Sequence, residues 1–133
     1  MNVFDITAIE DGVREIVKNL GVSKKVYVNR PKEADPASDF VVVSLNSSVE
    51  DLSAYGRCAI TISLFARDVD SFKNGKKLSV MYQKLAQGFP AEKDNMLFDT
   101  EWTVLGDTPD DFGFHARIIR INTILKAIKT WQH

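Results

Sequence analysis

Apolar positions recur along this chain in two different rhythms. From Asp5 to Leu20, Ile6, Ile9, Val13, Ile16, Val17 and Leu20 fall at helical spacing on one face, which predicts an amphipathic helix. Thr7 with Glu10 suits a capping box, and Asp5 is a competing N-cap. Gly21 stands where a left-handed residue ends a helix, while Gly12 weakens the interior by about 1 kcal/mol relative to alanine. The helical rhythm returns at Leu78, Met81, Tyr82 and Leu85, with Lys76, Lys77, Gln83 and Lys84 toward water. Gly88 and Pro90 end that second helix.

Between and after these stretches the period drops to two. Val26 to Val28 reads as a short strand stopped by Pro31. Lys32 to Asp39 is a polar loop, and Phe40 to Asn46 is a β-branched run with the near-continuous apolar character of an interior strand. Ser47 to Gly56 is a polar connection. Arg57 to Arg67 is the clearest strand, with Cys58, Ile60, Ile62, Leu64 and Ala66 on one side and Phe65 breaking the polar set on the other. Ala91 to Asp99 reads as a mobile connection and Thr100 to Leu105 as a strand. Gly106 to Gly113 is dense in turn formers and reverses the chain. Phe114 to Lys126 is a long strand, with Ile119, Ile121 and Leu125 on one parity and Ile118 and Ile124 on the other. The last residues, from about 127, are expected to fray.

The expected order is α-β-β-β-α-β-β. Strands that follow one another without helices form hairpins, so the fold class expected is α+β. It has a mainly antiparallel four- to five-stranded sheet with two helices packed on one face. The 133 residues fit a single domain, and no repeat or linker divides them.

Composition narrows the function classes. Seventeen basic and eighteen acidic residues leave a formal charge of −1. Such a chain has no global field for nucleic acid or an anionic membrane, so neither is expected as a main partner. No run approaches the roughly 18 apolar residues of a membrane helix. One cysteine forms no internal disulfide and no cysteine-based zinc site, and with no signal peptide visible the expected compartment is the cytosol.

Chemistry-bearing patterns are sparse. Cys58 shares a strand parity with Ile60 and Ile62 and reads as a buried small hydrophobe. There is no Gly-x-Ser-x-Gly elbow. His115 reads as a strand-end surface histidine without an evident acid–base partner, and His133 is the last residue. Asp107, Asp110 and Asp111 sit in a turn whose spacing fails the calcium-loop pattern, with Phe112 at its sixth position and Ile118 at its twelfth. Asn74-Gly75-Lys76-Lys77 fails the phosphate-loop pattern, because Asp70 holds the place of the first glycine. Lys73, Lys76, Lys77 and Lys84 read as a solvated helix face. The chain is therefore expected not to be an enzyme and to use no cofactor or metal.

The succession of segments carries more than any motif. An amphipathic ITAIEDGVREIVKNLG is followed by VYVNRP, FVVVSLN, RCAITISLFARD, the helix NGKKLSVMYQKLAQGF, and the pair TEWTVLGD…FGFHARIIRINTIL. This order resembles the tail-terminator or tail-completion proteins of long-tailed phages and prophages, from about Asp5 to Leu125. The resemblance implies an α+β subunit of a hexameric ring that caps the tail tube and meets the head connector. Its partners would be further copies of itself, the tail-tube protein and the head-connector protein. It implies the bacterial host cytoplasm during assembly and the virion tail afterwards. Interface candidates are Tyr55, Arg57 and Phe65 on the long third strand, and Phe112 and Phe114 at the last turn. The Ser47–Gly56 and Ala91–Asp99 segments are candidates for ordering on assembly. From the residues alone, a small α+β ligand-binding or regulatory domain is the alternative, and it requires a concave apolar pocket.

Overall fold

The computed structural model describes residues 4–29, 39–45, 48–93 and 95–126. Most of the expected Lys32–Asp39 loop, the expected tail from residue 127 and His133 lie outside these residues.

Helix α1 spans Ile6–Asn19. Asp5 is its N-cap, with a carboxylate oxygen that accepts from the Thr7 N–H at 2.9 Å. The Thr7–Glu10 capping box does not form, because Glu10 reaches across to accept from the Leu45 N–H at 2.9 Å. Gly21 takes the left-handed conformation after the helix, at φ 72°. Gly12 has a packing reason: a Cβ there would lie 2.5 Å from the Met96 Cε. Helix α2 spans Gly75–Ala86, and Asn74 caps it by accepting from the Lys77 N–H at 3.1 Å.

The strands are β1 (Val26–Tyr27), β2 (Phe40–Ser44), β3 (Glu50–Asp51), β4 (Tyr55–Arg67), β5 (Ala91–Lys93), β6 (Met96–Pro109) and β7 (Phe114–Lys126). They form one sheet in the order β1-β2-β4-β7-β6-β5, with β3 also paired to β4. The α+β class holds, but the expected strand count and order are corrected. Among the described residues the order is α-β-β-β-β-α-β-β-β, and the sheet is mixed because β1 runs parallel to β2. β3 and β5 hold two and three residues, too few for a period of two to register.

Ala91 to Asp99 is corrected from a mobile connection to a hairpin, in which Ala91 pairs with Phe98 and Lys93 with Met96. The 106–113 turn is also shorter than expected, since β6 continues through Pro109.

β7 lies between β4 and β6, and its register with β4 is unbroken from Tyr55↔Lys126 to Arg67↔Phe114. Against β6 it is irregular. The register slips between Phe98 and Trp102 and again between Val104 and Asp107. Extra residues on one strand bend it and re-aim its side chains. Gly106, at φ 91°, sits in the second slip.

Both helices cover one face. Ile9, Val13 and Val17 of α1 and Leu78, Met81 and Leu85 of α2 pack with Val41, Val43, Ile60, Ile62, Leu64, Phe98, Ile119 and Ile121. Each fully buried aliphatic side chain contributes about 1.5–3 kcal/mol, so this layer dominates stability. The opposite face holds a smaller cluster at one end, made of Phe40, Val42, Phe65, Phe114 and Ala116 with Tyr27 and Ile118 against it.

Candidate functional site

The five interface candidates fall into three places. Tyr55 and Arg57 stand at the start of β4, where β3 pairs with it and sets Glu50 opposite Arg57. The Arg57 Nη2 lies 3.3 Å from a Glu50 carboxylate oxygen, and both side chains are about half exposed. With Ser48, Asn122 and Ile124 they line an open groove of about 560 Å³. Tyr55 and Ile124 are 39% and 42% exposed, so the groove carries some exposed apolar area. Cys58 also lines it, but burial pushes its thiol up to about 11, so it is a poor nucleophile at neutral pH.

Phe65 and Phe114 occupy the second place. The expectation that Phe65 stands on an exposed parity is corrected, because it is only 9% exposed. The Phe65 ring stacks on Phe40 at 4.5 Å between centroids, and Phe114 meets Phe40 edge-on at 5.3 Å. The Arg67 guanidinium lies 5.7 Å from the Phe114 ring centroid.

Phe112 occupies the third. Asp110 shapes the tight turn there by accepting from the Phe112 and Phe114 N–H groups at 2.8 and 3.0 Å. Phe112 projects from it, 69% exposed. The Asp68 N–H donates to the Gly113 carbonyl at 2.9 Å, which brings the loop after β4 alongside. That loop adds Val69 and Phe72, 55% and 76% exposed. Sequence reading missed both as surface residues, since an irregular Asp-Val-Asp-Ser-Phe segment has no period to assign faces. The result is an apolar tip with Asp70 and Asp111 among its exposed residues.

Two clusters of titratable groups near this end hold structural partners. The second register slip sets Asp107 opposite Arg117, beneath α2. The Arg117 Nε and Nη2 donate to the two Asp107 carboxylate oxygens at 2.7 and 3.0 Å, and Nη1 donates to the Ser79 hydroxyl at 3.3 Å. Lys73 adds a second cation at 3.0 Å, and the Arg117 guanidinium lies 5.9 Å from the Tyr82 ring centroid. The Arg117 hydrogen bond leads in holding the Asp107 carboxyl down at about 2, against desolvation that works the other way. A carboxylate held by two cations is a fastening, not a general base near neutral pH. His115, which the sequence left without a partner, has its Nδ1 2.6 Å from Asp68, and both side chains are largely covered. Among the described residues no three His, Cys, Asp or Glu side chains gather as a metal site. Among them, too, no helix is long and apolar enough to cross a membrane.

No family model matches the chain, and no curated protein matches it. Solved structures do share its fold. One, which carries no descriptive name, aligns with a TM-score of 0.62 at 12% identity, over 92% of this chain and 94% of that one. Another is a chain from the virion of a native gene transfer agent particle, with a TM-score of 0.59 at 10% identity, over 94% of this chain and 100% of that one.

Proposed function

We propose that this chain is a non-enzymatic structural subunit of a phage or prophage tail. It acts at the head–tail junction and caps the tail tube as a ring. The observation that carries the reading is the likeness in fold to a chain of a gene transfer agent virion, which spans that chain from end to end. The segment order that resembles tail-terminator proteins supports the same place in the particle. The surfaces suit the role. A ring subunit needs a rigid body with separate contact patches, since heterologous contacts close into a ring. Here a two-sided sheet holds a groove of mixed polar and apolar lining at Tyr55 and Arg57 and an apolar tip at Phe72 and Phe112. In this reading the five sequence candidates divide their work. Tyr55, Arg57 and Phe112 make contacts, while Phe65 and Phe114 hold the second face in shape.

The test is deletion of the gene from its own phage or prophage, followed by electron microscopy of the particles. The expected result is tails of uncontrolled length that fail to join heads, restored by the gene in trans. Particles of normal tail length and normal joining overturn the proposal.

A further inference from the structure

A projection and a recess stand at opposite ends of β4. Just past its last residue, Arg67, the chain makes a two-residue hairpin. Val69 and Phe72 exchange both backbone hydrogen bonds at 2.9 Å, with Asp70 and Ser71 between them at φ 51° and 68°. A pair bonded in this way sets its two side chains on one side of the ribbon. Glycine fills such a turn at less cost, so Asp70 and Ser71 hold a strained backbone. Both flanks fasten it. The Asp68 N–H donates to the Gly113 carbonyl and its carboxylate meets His115, while Lys73 pairs with Asp107 and Asn74 caps α2. On this rigid base Phe72 is the most exposed large apolar side chain among the described residues.

The recess is the groove of about 560 Å³ on the helix-free face. Its floor is the β4–β7 ladder where Ala59 pairs with Asn122, and the short Ala59 side chain makes the dip. Tyr55 and Ile124 are its apolar walls, and Arg57 stands opposite Ile124. The unbroken β4–β7 register runs from Tyr55 at the groove to Arg67 at the hairpin. Those 13 residues span roughly 40 Å at about 3.3 Å each. A hairpin fastened on both flanks does not reach back that far, so the groove it can enter is on another molecule.

We infer that Phe72 on the hairpin of one copy seats in the Tyr55–Ile124 groove of a second copy. The ring lies over Ala59 between the Tyr55 and Ile124 side chains, with the Arg57 guanidinium at its face. The exposed Asp70 comes to the rim beside Arg57, whose half-exposed pairing with Glu50 is weak enough to rearrange. Unlike patches at two ends of one body make a head-to-tail contact, which closes into a ring when the rotation allows. So few side chains cover less than the roughly 1,200 Å² of stable complexes, so one contact is expected to have a Kd of about 0.1–1 mM. Closure of the ring adds the rest. This inference rests on the ring proposed above and names one contact that makes it.

The experiment uses the full chain in two variants, each lacking one patch. Phe72→Ser keeps the groove and loses the ring. Ile124→Glu keeps the hairpin and sets a carboxylate in the groove, opposite Arg57 and against Asp70. Both positions are exposed, and the amide NMR spectrum of each variant reports that it folds. Isotope-labelled Ile124→Glu is titrated with unlabelled Phe72→Ser to about 1 mM, where a contact of that strength is half filled or more. The amides of residues 68–73 should shift. With the labels exchanged, the amides of residues 56–59 and 122–124 should shift. Each variant titrated with itself should bind about tenfold or more weakly. No shifts in the complementary pair overturn the contact, as do equal shifts in the self-titrations. Groove amides that respond only to removal of residues 127–133 give the groove to the chain's own end and overturn it too. None of these outcomes touches the particle reading, which is judged from tail length and head joining in the deletion mutant.

Discussion

Replacing Asp107 by asparagine tests the fastening beneath α2. The side chain keeps its shape and one acceptor but loses its charge, so Arg117 and Lys73 face a neutral amide. The wild-type carboxyl is held from its ordinary 3.8 down to about 2, mainly by the Arg117 hydrogen bond. A difference of that size converts to about 2 kcal/mol, and solvent around the half-exposed Lys73 screens part of it, which leaves about 1–2 kcal/mol at neutral pH. The sign follows from linkage. A folded-state value below the unfolded one gives stability that is present above pH 4–5, roughly, and is lost as pH falls toward about 2. Urea unfolding of wild type and Asp107→Asn, run in parallel from about pH 7 to pH 2.5, should give a stability gap that narrows through that window. Subtracting the two curves removes the other carboxylates. A gap that is flat with pH, or smaller than about 0.5 kcal/mol throughout, refutes the assignment of the fastening to this charge.

Four further outcomes are expected. Cys58, with its thiol pushed up to about 11, should react with a disulfide reagent at pH 8 far more slowly than in the urea-unfolded chain, and equal rates would contradict its burial. Phe40→Ala removes the centre of the second-face cluster and should destabilise by about 3–5 kcal/mol in urea unfolding. Phe72→Ser and Phe112→Ser, at exposed positions, should change the same measurement by less than about 0.5 kcal/mol each. Gly12→Val should destabilise by about 1–3 kcal/mol, because its side chain must displace Met96.

Much of the fold could be read from the sequence where the period was long enough to show. Both helices appear near their expected ends, and the strand expected at Phe114–Lys126 has those bounds in the structure. The helix-side core follows the parity of Cys58 to Ala66 and of Ile119 to Leu125. Short or bulged segments hid the rest. Phe98 is a core residue, yet it lay in a stretch whose acidic and lysine neighbours spoke for a loop. Asp107 looked like one of several turn aspartates, because a pairing with Arg117 made by a slip in register leaves no trace in spacing. Phe65 looked exposed by parity alone. Its burial comes from Phe40 on β2, set opposite it by a register that only the assembled sheet reveals. Of the candidate surfaces, Tyr55, Arg57 and Phe112 were legible as residues. Their partners Glu50, Ile124 and Phe72 were not, since tertiary neighbours brought them there.

The place of β7 governs how this molecule comes into being. It is the last of the seven described strands to be synthesised, yet it holds the middle of the sheet, joined to β4 on one side and β6 on the other. Until residues 114–126 leave the ribosome, β4 and β6 have no common neighbour, and the backbone edges that β7 will pair stay open to water or to a chaperone. Productive folding is then a late, nearly all-at-once event that joins segments roughly 50–70 residues apart, which favours a slow rate. A premature stop before β7 should yield no smaller working version, only a sticky fragment for proteolysis.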